Sequence, residues 1–186
     1  MNALNNGIRV GFIVIFESKK VAAKNLILSK EVAEKKMQRI ALEIAGQLYG
    51  ETETLIIIGI TGSGMVIAEK LFLLLKPSVK IPVQLIACEL NKRSPAEITY
   101  SETIDFNGKN VLLVDDVTNS GQTLLYALKP LLNFYPKRIQ TMSLVERMHK
   151  SFPIKIDYIG LSIATTLQDH IQVEVENGEV LGAYIL

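Results

Sequence analysis

The sequence predicts a single α/β domain that spans residues 1–186 and is built around a parallel sheet. Apolar strands begin near residues 55, 82, 110 and 139, which places them 27 to 29 residues apart, and helical patterns lie between them. This spacing suits βαβ units, in which a helix returns the chain to the start of the next parallel strand. The last segment departs from this pattern, because Ile171 to Leu186 is predicted as a hairpin that turns at Asn177-Gly178.

The helices and strands follow one another in a regular order. The first helix, Ser29 to Gly50, has a serine N-cap, apolar residues at helical spacing and a glycine terminator. The next predicted elements are a strand Leu55 to Ile60, a helix Met65 to Lys76, strands Pro82 to Cys88 and Val111 to Asp115, a helix Gln122 to Tyr135 kinked at Pro130, and strands Ile139 to Val145 and Asp157 to Leu161. We therefore expect helices on both faces of the sheet.

Three segments lie outside this alternation. Residues 1–26 are predicted as an extension or an extra strand, because their apolar run Val10 to Phe16 is too short to cross a membrane and charged residues follow it. Residues 162–186 include the hairpin, and we expect both ends of the chain to form a small hood. Leu90 to Asn110 is polar, turn-rich and too long for an ordinary connection, so it is predicted as a lid.

Composition excludes several classes of function. Hydrophobic residues make up 48% of the chain and charged residues 21%, which argues against disorder. The net charge of +1 argues against a broad surface for nucleic acid or acidic membranes. The single cysteine, Cys88, is predicted to be a buried apolar residue of a cytoplasmic protein. The histidines, His149 and His170, have no cysteines near them, so we expect loop or surface positions and no metal site.

The segment Val111 to Thr123, VLLVDDVTNSGQT, carries the most functional information. Its apolar strand delivers Asp115 and Asp116 to the carboxyl end of the sheet, where ligands collect in parallel α/β folds. The turn from Thr118 then offers hydroxyls and backbone amides at the start of a helix, which favours a phosphate. Two carboxylates beside a phosphate site fit a ribose 5-phosphate. The alternative is that Asp-Asp merely ends a strand and caps the next helix.

This segment resembles the phosphoribosyl pyrophosphate (PRPP) signature of the type I phosphoribosyltransferases, in which four apolar and two acidic residues precede a turn V-x-x-[ST]-G-x-T. Gly59 to Leu71, GITGSGMVIAEKL, resembles the pyrophosphate-binding loop of the same family. From about Ile27 onward the chain is similar to the pyrimidine-operon attenuators of this family, which also carry uracil phosphoribosyltransferase activity. The run LVERMHKSFPIKIDYIG and the following Ser162 to Thr166, the position of the base-contacting hood, support that similarity.

The resemblance implies a Rossmann-like core and transfer of 5-phosphoribosyl from PRPP to a nucleobase, with uracil, giving UMP, as the expected base. The implied ribose-binding pair is Asp115 and Asp116. The other implied contacts are the 5-phosphate turn (Val117, Thr118, Asn119, Ser120, Gly121, Gln122, Thr123), the pyrophosphate loop (Thr61, Gly62, Ser63, Gly64), the base segment (Ser162, Ile163, Ala164) and lid residues (Lys92, Arg93). Mg²⁺ would be bound through PRPP, without a dedicated protein site, and we expect a homodimer or higher homo-oligomer.

Three differences from the attenuators keep other functions open. Ser63 replaces an arginine of the pyrophosphate loop, Leu161 replaces a lysine, and the lid begins with Asn91, Lys92 and Arg93 instead of tyrosine, arginine and aspartate. One alternative is a regulatory RNA-binding protein that senses UMP or PRPP, although a net charge of +1 argues against a basic groove. Another is a relative that binds PRPP but has lost catalysis.

Overall fold

The computed structural model describes residues 24–90, 97–165 and 169–186. The elements are strands β1 Asn25–Ser29, β2 Leu55–Ile60, β3 Val83–Leu90, β4 Ile98–Tyr100, β5 Asn110–Thr118, β6 Arg138–Arg147, β7 Tyr158–Ile163, β8 Ile171–Glu176 and β9 Glu179–Ile185, helices α1 Lys30–Gln47, α2 Ser63–Leu75 and α3 Gln122–Ala127, and a 3-10 helix Lys129–Asn133. Within these residues no helix is both long and apolar enough to cross a membrane.

The main sheet has six strands in the order β4-β3-β2-β5-β6-β7. β3, β2, β5, β6 and β7 run parallel, and β4 is the antiparallel edge. All six residues of β2 are buried, as expected for a central strand covered on both faces. The predicted α/β architecture is confirmed.

Alternate residues of the central strands pack in two separate cores, one on each face of the sheet. Ile57 and Leu112 pack in the core that includes residues of α1, α2 and the C-terminal hairpin. Ile56 and Leu113 pack in the opposite core, which contains Leu124 of α3. Because side chains alternate between the faces of a strand, this division places helices on both faces of the sheet.

A second sheet of three strands, in the order β1-β9-β8, forms the small hood. β8 and β9 are the predicted hairpin, and Asn177 (φ 51°) and Gly178 (φ 76°) both have the positive φ that a two-residue type I′ turn requires. β1 pairs antiparallel with β9, so residues just before α1 join the C-terminal hairpin. Residues 1–23 lie outside the described residues, and the extra strand predicted there stays a prediction.

Two predicted elements differ from the structure. The helix predicted over Gln122 to Tyr135 begins at Gln122 but is shorter than predicted, because α3 ends at Ala127 and a 3-10 helix with Pro130 near its start follows. Proline lacks an N–H and clashes with the preceding turn, so it favours a break. The loop predicted over Leu90 to Asn110 is interrupted by β4, whereas residues 101–109 form no helix or strand.

The segment that contains β4 packs against the edge of the main sheet. β4 extends the sheet beside β3, and the Phe106 side chain is only 2% exposed. Its ring lies 5.5 Å from the Tyr100 ring and 5.3 Å from the Phe134 ring, both edge-to-face. The predicted lid residues Lys92 and Arg93 lie outside the described residues.

Candidate active site

A cavity of about 310 Å³ lies at the carboxyl end of β5. Its walls combine the end of this strand, the following turn and the first residues of the hairpin: Asp115, Asp116, Val117, Thr118, Asn119, Ser120, Gly121, Thr123, Leu124, His170, Ile171 and Gln172. All members of the predicted ribose and 5-phosphate sites except Gln122 therefore border one space. The volume is in the range of small-molecule pockets.

The two carboxylates occupy different environments on β5, which continues past them to Thr118. Asp115 is 2% exposed, and its Oδ1 accepts a hydrogen bond of 3.0 Å from the Asp116 N–H. Asp116 is partly exposed. The pyrophosphate loop reaches this pair, since a Cβ at Gly64 would lie 3.3 Å from both Cα and Oδ1 of Asp115. Glycine thus allows the start of α2 to approach the acidic strand end.

A buried serine that the sequence analysis missed fixes the end of β5. Ser143 of β6 is fully buried, its Oγ accepts from the Thr118 N–H at 3.1 Å, and its hydroxyl donates to the Val145 carbonyl at 2.7 Å. Asp115 and Ser143 are register partners in the parallel pairing of β5 and β6. Only knowledge of that register would have revealed the contact.

The turn after β5 is held from its outer side. The Ser120 carbonyl accepts hydrogen bonds from the Ser151 and Phe152 N–H groups at 3.1 and 3.0 Å. Gly121 has φ 84°, and a Cβ there would lie 2.5 Å from Ile154 Cγ2, so this position requires glycine. The turn therefore has a fixed shape before any ligand binds.

The pyrophosphate loop lies on the neighbouring strand end. Thr61 follows β2 and its N–H donates to the Cys88 carbonyl at 3.0 Å, while Gly62 caps α2. Ser63 borders a hollow next to the main cavity, together with Gln172 of the hairpin. Thr61, Gly62, Ser63 and Gly64 thus flank Asp115 but do not line the main cavity.

The predicted base segment lies at the same edge of the sheet. Register pairs Thr118 with Glu146 and Glu146 with Ser162, which puts one strand, β6, between Ser162 and the phosphate turn, a separation of about 10 Å. Ile163 ends β7 and Ala164 follows it. None of the three predicted residues lines the main cavity. Thr166, the last residue of the predicted hood segment, lies outside the described residues.

Buried polar groups separate the phosphate turn from the base segment. Glu146 is 8% exposed and accepts a hydrogen bond from Lys150 through Oε1. Within the described part of the chain, its Oε2 has no hydrogen-bond partner, and neither do the buried Thr118 Oγ1 and Asn119 Oδ1. Unpaired buried polar atoms are uncommon in folded proteins and often mark functional sites.

Arg147 ties the connection after β7 to the sheet. Its side chain is buried, its Nε donates to Thr165 Oγ1 at 3.0 Å, and its Nη2 donates to the Asp169 carbonyl at 3.3 Å. This connection leads directly to His170, which the sequence analysis placed in a loop or on the surface without a role. No local sequence pattern indicates this position, because the hairpin reaches the cavity through tertiary packing.

Cys88 has no nucleophilic role in this site. The side chain is fully buried, as predicted, and burial together with the nearby Asp115 charge raises the pKa of its thiol to about 12. The thiol therefore stays protonated at neutral pH, and a protonated thiol is a poor nucleophile. Among the described residues, no group of three or more His, Cys, Asp or Glu side chains could hold a metal ion.

Comparison with known proteins identifies the family. Residues 26–177 match the phosphoribosyl transferase domain. The chain belongs to this family. Relatives named Bifunctional protein PyrR include that of Haemophilus ducreyi, 30% identical over 83% of this chain and 91% of the relative. That of Limosilactobacillus fermentum is 34% identical over 75% of this chain and 84% of the relative.

Solved structures share the phosphoribosyltransferase fold. The hypoxanthine phosphoribosyltransferase of Trypanosoma cruzi superposes with a TM-score of 0.73 at 16% identity, covering 88% of this chain and 97% of that one. A hypoxanthine-guanine phosphoribosyltransferase of Bacillus anthracis gives 0.67 at 19% identity, covering 86% and 97%. The predicted membership in the type I phosphoribosyltransferases and the predicted fold are confirmed.

Proposed function

We propose that this phosphoribosyltransferase transfers 5-phosphoribosyl from PRPP to uracil, giving UMP and pyrophosphate. The observation that carries the proposal is the cavity of about 310 Å³ at the end of β5, which Asp115 and Asp116 line together with the turn Thr118 to Gly121. A sugar phosphate needs partners for its hydroxyls and for its phosphate, and the cavity has both. The similarity to proteins named PyrR supports uracil over the purines of the structural neighbours.

The proposed chemistry asks the protein to position and shield the sugar. Departure of pyrophosphate from the anomeric carbon builds positive charge on the ribose ring, and no covalent protein nucleophile is needed. Asp115 and Asp116 accept hydrogen bonds from the ribose hydroxyls and fix the ring, while the turn holds the 5-phosphate. Holding the reactants in line for attack can supply much of the rate enhancement. Thr61 to Gly64 receive the leaving diphosphate.

Mg²⁺ fits this site as an ion carried by the substrate. Two adjacent carboxylates border the cavity, and Mg²⁺ commonly binds phosphates with one or two carboxylates and waters. Asp115 and Asp116 would hold it through the ribose hydroxyls or waters. The bound ion would neutralise charge on the leaving diphosphate.

The base would be read by backbone groups at the end of β7. Ser162 and Ala164 are exposed, and Ser162 is separated from Thr118 by one strand. Backbone amides and carbonyls can match the imide edge of uracil, whereas the amino group of cytosine would oppose a donor. Leaving such groups unpaired costs about 1 to 3 kcal/mol, so uracil should be preferred.

The test is pyrophosphate release from PRPP and Mg²⁺ with uracil, cytosine, hypoxanthine and guanine. We expect the highest kcat/KM with uracil and little release by the Asp115→Asn/Asp116→Asn variant. A preference for hypoxanthine or guanine would contradict the uracil assignment and leave phosphoribosyl transfer standing. PRPP binding without pyrophosphate release from any base would instead support a relative that has lost catalysis, as Ser63 and Leu161 suggest.

A second candidate function is regulation through RNA. The name of the relatives, Bifunctional protein PyrR, favours a second activity. His149, Lys150 and Lys155 supply local positive charge, but the Lys150 side chain is engaged by Glu146 and the net charge is +1. Filter binding with structured RNA, with and without UMP, tests this candidate. Weak binding that is lost with modest salt and is independent of UMP would contradict it.

A further inference from the structure

The C-terminal hairpin forms one wall of the cavity. His170, Ile171 and Gln172 line it together with the acidic pair and the phosphate turn. His170 and Gln172 are exposed, whereas Ile171 is 2% exposed and packs in the core. Since side chains alternate along an extended chain, His170 and Gln172 share the face that borders the cavity. Ile171 anchors that face.

The charges around this cavity are unbalanced. Among the described residues of its lining, Asp115 and Asp116 are acidic and His170 is the side chain that can carry positive charge. A bound sugar phosphate adds further negative charge to the same space. The neighbouring charged groups of this wall are Asp169, the preceding residue, Arg147, which donates to the Asp169 carbonyl, and Glu174, which forms a salt bridge with Lys24. A histidine at this position is suited to bind an anion.

Gln172 extends this wall towards the pyrophosphate loop. It lines both the main cavity and the adjoining hollow bordered by Ser63. Ser63 brings no charge to that side and Glu174 and Glu176 also border the hollow, whereas the glutamine amide can donate two hydrogen bonds. One strand face therefore runs past both predicted phosphate sites.

We propose that His170 is a ligand-binding residue of this site, whose imidazolium donates a hydrogen bond to a phosphate oxygen of the bound phosphoribosyl ligand while the Gln172 amide binds beside it. The proposal rests on the proposed function, because it takes PRPP as the ligand. Charge-assisted hydrogen bonds to phosphate are short and about twice as strong as neutral ones. The hairpin thereby becomes part of the binding site as well as of the hood.

The test is calorimetric titration of PRPP with Mg²⁺ into wild type, His170→Gln, His170→Arg and the control His149→Gln. His149 is also exposed but does not line the cavity. We expect His170→Gln to weaken PRPP binding about tenfold, His170→Arg to stay within about threefold of wild type, and His149→Gln to have no effect. Unfolding temperatures should be equal, because both histidines are exposed.

Separate titrations with ribose 5-phosphate and with inorganic pyrophosphate identify the phosphate that His170 contacts, as the one whose affinity falls in His170→Gln. Equal PRPP affinity of wild type and His170→Gln would overturn the inference alone. Equal losses in the Gln and Arg variants would also overturn it, since charge would then be irrelevant. If wild type did not bind PRPP, the proposed function would fail together with the inference.

Discussion

At the scale of single residues, the phosphate turn keeps its shape through protein contacts. Ser120 is anchored by backbone amides of Ser151 and Phe152, Ser143 fixes Thr118 beneath the turn, and Ile154 packs against Gly121. A site that is rigid before binding loses less conformational entropy when the ligand arrives. We therefore expect ligand affinity to be sensitive to substitutions that deform this turn.

Gly121→Ala is expected to destabilise the protein and weaken PRPP binding. A Cβ would lie 2.5 Å from Ile154 Cγ2 at a positive φ, so the cost should be about 1 to 3 kcal/mol of unfolding free energy. Gly46→Ala is the matched control, because Gly46 lies in α1 with no atom within 4 Å of the added Cβ. That variant should be neutral or slightly stabilised. Urea unfolding measures both, and equal stabilities would contradict the account of the turn.

Among the secondary-structure elements, the strands with long apolar runs were predicted correctly from the sequence. The strands that became β2, β5 and β6 were predicted because buried parallel strands are apolar on both faces. β4 and Phe106 were missed because few apolar residues lie among many polar ones between Leu90 and Asn110. The packing of Phe106 between Tyr100 and Phe134 joins residues far apart in the chain, which local patterns do not reveal.

The pairing of β4 with β3 predicts a specific pattern of amide hydrogen exchange. The amides of Thr99 and Ser101, which point towards β3, should exchange slowly without ligand, because β4 is paired with β3, the Ser101 N–H donates to the Ala87 carbonyl at 2.9 Å and the Tyr100 hydroxyl donates to the Ala127 carbonyl at 2.8 Å. Phe106→Ala should speed their exchange, with a cost of about 3 to 5 kcal/mol in unfolding free energy. Leu132→Ala is the control, because its side chain is 74% exposed. Rapid exchange of Thr99 and Ser101 that slows only with PRPP would instead indicate a mobile lid over this segment.

At the scale of the whole molecule, the hood and the core meet where the ligand should bind. The individual predicted residues of β5 could be found from the sequence, because strand, carboxylates and turn are contiguous. His170 and Gln172 could not, since the hairpin reaches the cavity only through tertiary packing. Glu179 of β9 adds an electrostatic link, with Oε1 2.7 Å from Lys70 of α2 and Oε2 3.7 Å from Lys30 of α1.

This link predicts a pH-dependent contribution to stability. The hydrogen bond from Lys70, with the charges of Lys70 and Lys30, lowers the pKa of Glu179 below its ordinary 4.5. A lowered folded-state pKa gives stability that is present above pH 4.5 and is lost as pH falls through the lower value. Glu179→Gln should therefore be less stable than wild type at pH 7 and equal to it under strongly acidic conditions.

The control for this prediction is Glu176→Gln, at the position opposite Glu179 in the hairpin register. Glu176 makes no salt bridge among the described residues, so its substitution should have little effect. Urea unfolding between pH 7 and pH 3 measures the difference. A Glu179→Gln deficit that stayed constant across this range would show that the ion pairs do not stabilise the hood.

Calorimetric titration of PRPP with Mg²⁺ into wild type and Asp115→Asn/Asp116→Asn tests whether this acidic pair binds the ribose. The asparagine side chains have the same size as aspartate and keep an acceptor oxygen, but they lack the charges that we propose for ribose binding. Asp105→Asn, an exposed site beyond the cavity, is the control. We predict that the double variant folds and loses at least about tenfold in PRPP affinity, whereas the control binds like wild type. Unchanged PRPP affinity in the double variant would contradict the account.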